Sequence, residues 1–183
     1  MPSMNKMMNE KIIFTEKQSF RQPLIWIILL SLNILFIYGF VEQVIRKEQF
    51  GEKPMTDTGL IILMLITLTL SLCFFSLRLE TLIKPDGIYF RFYPFQIKYK
   101  SIAWKDLTEI YVRQYSPIAE YGGWGIRGIG KNKAYNVSGN KGIQLITTNN
   151  TRILIGTQKP DEINEIIKWL ELPTRQDVSP HHR

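Results

Sequence analysis

The chain has 183 residues, 45% of them hydrophobic, and a formal net charge of +7. Its mean hydropathy of -0.06 is that of an ordinary soluble protein, but the value averages two unlike parts, so overall composition excludes little. The one cysteine, Cys73, does exclude an intramolecular disulfide and thiol chemistry in the polar part of the chain, which fits a reducing compartment.

Charge is unevenly divided, with +2 in residues 1–21, -1 in 42–57 and +6 in 78–183. Residues 1–21 read as a juxtamembrane tail. Its Met-rich start, residues 1–9, is expected to be disordered, and Lys11 to Arg21 to form a charged flank. Two stretches then carry no charge: Gln22 to Val41, between Arg21 and Glu42, and Thr58 to Leu77, between Asp57 and Arg78. Each is 20 residues long. At ~1.5 Å per residue, each helix would span the ~30 Å hydrocarbon core of a bilayer. A helix satisfies its own backbone hydrogen bonds there. The first stretch is too long for the apolar region of a signal peptide, and Glu42-Gln43-Val44-Ile45-Arg46 offers no small-residue cleavage site. Residues 22–77 therefore predict a two-helix transmembrane hairpin.

Two spans put both ends of the chain on one side. Lys6, Lys11, Lys17 and Arg21 before the hairpin, and Arg78, Lys84 and Arg91 after it, outweigh Arg46, Lys47 and Lys53 in the acidic connector. The positive-inside rule then predicts a multi-pass protein of the cell (inner) membrane, with cytoplasmic N- and C-termini. Trp26 and Tyr38 suit the two interfacial aromatic belts. Asn33 and Thr67 fall at similar depth, and a hydrogen bond between them would contribute ~0.6–2 kcal/mol. Thr69, Ser71 and Ser76 permit close approach of the helices. No ionisable residue lies in either stretch, so these polar atoms read as helix glue rather than an ion path.

From Leu79 the apolar period changes to two. Leu79, Thr81 and Ile83 alternate with Glu80, Leu82 and Lys84, then Pro85-Asp86-Gly87 signals a turn and Ile88 to Tyr93 a second strand. Further strands are predicted at Gln96 to Lys100 continuing through Ile102 to Trp104, Asp106 to Val112, Ala134 to Val137, Gly142 to Thr147 and Arg152 to Gly156. Ser116-Pro117 opens a loop, and Asn149-Asn150 makes a tight turn. Residues 160–171 predict one amphipathic helix. Pro160 suits its first position, Asp161 and Glu162 its positive end, and Ile163, Ile166, Ile167 and Leu170 line one face. Pro173 stops it, and residues 173–183 read as a flexible tail. About seven strands and a covering helix, in residues 78–172, require a curved sheet with the helix over an open end or face.

The order of these elements resembles bacterial pleckstrin-homology-like domains, and the whole chain resembles small bacterial membrane proteins with two N-terminal spans before such a domain. The likeness is carried by Phe14-Thr15-Glu16-Lys17-Gln18-Ser19-Phe20-Arg21-Gln22, Tyr121-Gly122-Gly123-Trp124-Gly125-Ile126-Arg127, Ala134-Tyr135-Asn136-Val137-Ser138-Gly139-Asn140 and Ile155-Gly156-Thr157-Gln158-Lys159-Pro160-Asp161-Glu162. The resemblance implies an α+β membrane protein in which the transmembrane hairpin precedes a PH-like antiparallel β-barrel or sandwich with one C-terminal helix. It also implies binding of lipids or proteins, with no particular reaction.

Gly123-Trp124-Gly125-Ile126-Arg127-Gly128 matches the dinucleotide fingerprint in letters only, because Ile129-Gly130-Lys131-Asn132-Lys133 is a poor start to the helix that motif needs. No Ser or Thr follows Lys131, as a phosphate loop would require. Two readings of the Gly-rich segment 122–130 stay open. It could bend tightly, with Trp124 plugging the barrel. It could instead present Tyr121, Trp124, Arg127, Lys131 and Tyr135 to a partner, since aromatic and basic side chains together suit anionic lipid headgroups or a protein. Asn136 to Asn140 reads as a structured turn. His181 and His182 are adjacent in the tail, with no carboxylate or thiolate cluster beside them, so no metal, cofactor or catalytic set is expected. The expectation is a non-enzymatic binding or scaffolding module at the inner leaflet, with a protein partner or anionic lipid and no nucleic acid. The alternative is an accessory subunit of a membrane transporter or secretion complex.

Overall fold

The computed structural model describes residues 11–174; the expectations for residues 1–9 and for His181 and His182 lie outside them. Two compact units emerge. Phe20–Leu77 forms one, and the chain before Phe20 joins the chain from Arg78 onward to form the other.

The helical unit holds α1 (Pro23–Phe40) and α2 (Asp57–Ser76), both long and apolar enough to cross a membrane. Pro23 stands at the first turn of α1 after an extended Gln22. Thr56 caps α2, its hydroxyl accepting the Gly59 N–H at 3.2 Å. A helix resting on a soluble core would bury one apolar stripe and keep a polar face. These two are apolar on every side, and Leu24, Ile34, Leu72 and Phe75 are each more than two-thirds exposed.

Where the helices meet, the predicted Asn33–Thr67 bond is replaced. The Asn33 amide donates to the Ser71 hydroxyl at 2.7 Å and to the Leu29 carbonyl at 2.8 Å. Thr67 and Ser71 sit one turn apart on the same face of α2. The Thr67 hydroxyl turns back to Met64, while Ser71 donates to Thr67 and still accepts from Asn33. The first helical stretch also outruns its predicted end at Val41. It continues as a π-helical turn over Val41–Ile45, where the buried Glu42 pairs with Arg46 at 2.8 Å. Gln43 then ties the connector to α2 through Asp57 at 2.7 Å.

The second unit contains two sheets. The first is antiparallel, in the order β1 (Phe14–Ser19), β2 (Arg78–Lys84), β3 (Gly87–Tyr93) and β4 (Lys100–Ala103). Residues 14–19, read from the sequence as a charged flank, are thus a strand. Their alternation buries Phe14, Glu16 and Gln18 and leaves Thr15 and Lys17 exposed. Ser19 lies opposite Arg78, so the helical unit is inserted between two paired strands. The strand predicted from Gln96 starts only at Lys100. Before it the chain folds back, because the Gln96 N–H bonds to Phe92 O at 2.8 Å and Arg91 holds Ile97 O at 2.9 Å.

The second sheet runs β5 (Leu107–Gln114), β8 (Lys141–Thr147), β9 (Arg152–Gly156), β7 (Asn132–Asn136) and β6 (Gly125–Arg127). The pair β7–β9 is parallel and the rest antiparallel. The described strands number nine, against about seven predicted, and they close into no barrel. The fold is α+β with two separate sheets. They meet where Phe90 packs on Tyr135, ring centroids 4.9 Å apart, and where β1 bonds to the last residue of β9 and to the residue after it.

After Ser116 the expected loop is instead a short helix, α3 (Pro117–Tyr121), with Ser116 as N-cap and Gly122 closing it at φ 70°. The last helix, α4 (Pro160–Trp169), buries Ile163 and Ile167 against β5 and β8, which stabilises by roughly 1.5–3 kcal/mol per side chain. Pro173 is no free tail: its carbonyl accepts the Ile110 N–H at 2.8 Å and covers part of the β5 edge.

Candidate functional site

The Gly-rich segment folds as the hairpin β6–β7, with its tip at residues 128–131. The tip requires glycine at 128, where φ is 94° and a Cβ would sit 2.0 Å from the Asn132 carbonyl. An antiparallel hairpin follows the glycines, so the fingerprint opens no helix.

The five residues singled out by sequence do not form one patch. Trp124 and Arg127 come together: Arg127 Nε donates to the Trp124 carbonyl at 2.9 Å, and Trp124 Nε1 donates to Gly139 O at 3.1 Å. Trp124 is half-buried, and the two sheets close into no barrel for it to plug. Lys131, at the tip, reaches the Asn149 carbonyl in the β8–β9 turn at 3.2 Å. Tyr135 is buried in the core against Phe90 and is unavailable to a partner; its hydroxyl meets Lys100 Nζ at 2.9 Å. Tyr121 points elsewhere, onto the face of the second sheet opposite α4.

That face holds the feature sequence reading missed. One end is covered, because Tyr115 and Tyr121 pack over Ala134 and Leu154. The other end is open, a polar cleft of about 440 Å³ lined by β5, β8 and β9, with Glu120 and Tyr121 as one wall and Asn132 at its rim. Alternation along β5 puts Glu109, Tyr111 and Arg113 on this face, opposite the core residue Ile110. Arg113 anchors the floor. It donates to Gln144 Oε1 at 3.0 Å, Glu120 Oε2 at 2.7 Å and the Tyr121 hydroxyl at 3.3 Å. The Arg113 bond holds the Glu120 carboxyl below its usual range, against the opposing effect of burial and with help from the Ser116 N–H. Burial raises the Tyr121 phenol, which stays neutral at physiological pH. The Glu109, Tyr111, Arg113 alternation is visible in sequence, but nothing there says that α3 covers only half of the face.

Arg113 is committed to its partners, and Arg152 stands across Ile146 from Glu109 by register. The cleft therefore mixes both signs of charge with hydrogen-bonding groups, which suits a polar polypeptide segment better than a lone anion. Among the described residues, no three His, Cys, Asp or Glu side chains converge to hold a metal. A scan against protein-family models and a search of curated proteins both return no match.

Proposed function

We propose that the chain is a membrane-anchored, non-enzymatic binding module. In this reading α1 and α2 cross the cell membrane as a hairpin. The strand unit is a PH-like domain at the inner leaflet, and its polar cleft receives a segment of a protein partner in the same membrane. The observation that carries the reading is the pairing of Ser19 with Arg78. The residues that enter and leave the helix pair are neighbours in one sheet, which supports a hairpin starting and finishing on the same side. The all-round apolar surface of both helices supports lipid as their solvent. Tethering raises the effective concentration for a weak partner by confining both to one surface.

The test has two arms. Alkaline carbonate should leave the intact chain in the vesicles, and protease should reach the strand unit only after cells are opened. A photo-crosslinker at Asn132 should then give a discrete adduct in membranes, lost with Arg152→Glu. Extraction by carbonate would end the anchoring, and a folded protein that yields no adduct would end the cleft assignment.

One observation also fits an accessory-subunit reading. Leu24, Ile34, Leu72 and Phe75 are each more than two-thirds exposed, a surface that the helices of a larger complex would cover as readily as lipid. Replacing α1 and α2 by an unrelated hairpin would abolish co-purification under that reading and be tolerated under the first.

A further inference from the structure

The loop between β3 and β4 is braced by hydrogen bonds and ring contacts, yet it exposes apolar side chains. Gln96 bonds back to Phe92, Arg91 grips the Ile97 carbonyl, and the Tyr99 hydroxyl donates to Glu80 Oε2 at 2.7 Å. The Arg91 guanidinium lies 4.4 Å from the centre of the Tyr99 ring, and Phe92 stacks on Phe95 at 6.3 Å. Despite this bracing, Phe95 is 67% exposed and Ile97 73% exposed. The braced backbone thus directs Phe95 and Ile97 outward before any partner arrives.

Register and peptide connectivity locate this loop along the chain's path. Tyr93, the last residue of β3, pairs with Arg78, which is bonded to Leu77 just beyond the end of α2. Arg78 in turn pairs with Ser19, two residues before Arg21. Lys17, Arg78, Arg91 and Lys98 lie at or near this end of the first sheet, and its two acidic groups are already bound: Glu80 by Arg78 and Arg91, and Glu16 by Thr157 and Gln158. The opposite end of the sheet, with the turn at Asp86 and the exposed Lys105, is one strand length away, about 20 Å for seven residues.

We propose that Phe95 and Ile97 insert into the interfacial region of the bilayer into which α1 and α2 are anchored, while the exposed Lys17 and Lys98 meet anionic headgroups. Aromatic and apolar residues flanked by Lys and Arg are the composition that the membrane interface favours. The loop would add a lipid contact of its own to the two chain crossings. The proposal rests on the membrane-spanning reading above.

The full chain, with Cys73→Ser, is reconstituted into vesicles of phosphatidylcholine with phosphatidylglycerol. A polarity-sensitive fluorophore is placed at Ile97→Cys, at Phe95→Cys as a second site, and at Lys105→Cys as the far-end control. Both loop positions should give blue-shifted emission and severalfold stronger quenching by acyl-chain-bound quenchers than Lys105→Cys. In phosphatidylcholine alone the quenching should fall. Protein that floats with the vesicles but leaves both loop labels as water-exposed as the control overturns the insertion and leaves the spanning reading intact. Equal quenching in both vesicle types overturns the headgroup contact. Protein that does not float overturns the spanning reading and the loop proposal with it.

Discussion

The Glu16 carboxylate and the Thr157 hydroxyl are 141 residues apart in sequence and 2.7 Å apart in space. The other Glu16 oxygen accepts the Gln158 N–H at 2.8 Å, and two residues further along β1 the Gln18 amide donates to Gly156 O at 2.7 Å. Strand β1 thus ties the first sheet to the chain just after β9, and a buried carboxylate holds the approach to α4.

Glu16→Ala removes two hydrogen bonds to a buried charge and leaves the Gln158 N–H unsatisfied, so it should cost about 2–4 kcal/mol. Thr157→Ala removes one bond and should cost about 1 kcal/mol. Denaturant unfolding in mild detergent, followed by tryptophan emission, measures both. Equal stability of Glu16→Ala and the parent would show that the Glu16 carboxylate does not hold the two sheets together.

Acid should weaken the first sheet through Glu80. Burial pushes this carboxyl up, but bonds from Tyr99 and Arg91 and the charges of Arg91 and Arg78 outweigh that and hold it below 4.5. A carboxyl depressed in the folded state stabilises above its unfolded value, and that contribution fades as pH falls through the folded value. The melting temperature should therefore drop between pH 5 and more acidic solution. Glu80→Gln should melt lower at pH 7 and show a flatter acid limb.

The helix pair should show a measurable coupling between Asn33 and Ser71. In a cycle of Asn33→Ala, Ser71→Ala and the double variant, the interaction should come to about 0.6 kcal/mol, within a range of about 2. Thr67→Ala should show no coupling to Asn33. Unfolding in mixed micelles provides the readout, and a coupling seen only with Thr67 would contradict the observed pairing.

The hairpin tip should separate two glycines that look alike in sequence. Gly128→Ala brings a Cβ against the Asn132 backbone at φ 94°, whereas Gly130, at φ 61°, has nothing within 4 Å. Gly130→Ala should cost about 1–2 kcal/mol for the left-handed backbone alone. Gly128→Ala should cost more and speed hydrogen exchange across β6 and β7. Equal exchange in the two variants would mean the tip relaxes freely.

Local rules made much of the fold legible. Long uncharged runs marked α1 and α2, Pro85-Asp86-Gly87 marked the β2–β3 turn, and the spacing of Ile163, Ile166, Ile167 and Leu170 marked α4. What stayed hidden depends on distant partners. Phe14–Ser19 alternates, but its inward residues include Glu16 and Gln18, which look solvent-facing until Thr157 and Gly156 are known to receive them. Residues 96–99 alternate like a strand, yet side-chain bonds from Arg91 fold them away from the sheet. Ser116, Pro117 and Gly122 bear the start and stop signals of a helix, but five residues are too few to show a period. Tyr135 passed for a surface aromatic beside lysines because nothing local announces Phe90 across the gap. The cleft depends on how far α3 extends over the sheet, a matter of packing that no window of sequence contains.

The insertion of both helices between β1 and β2 also sets an order of events during synthesis. Strand β1 leaves the ribosome first and must wait while residues 20–77 are made, on the order of 3–12 s at ordinary elongation rates. Throughout that interval Phe14 lacks its cover and the backbone of β1 lacks its ladder. Arg78 reaches Ser19 only once the chain has doubled back over residues 20–77, so the first seam of the sheet closes after both helices have been made.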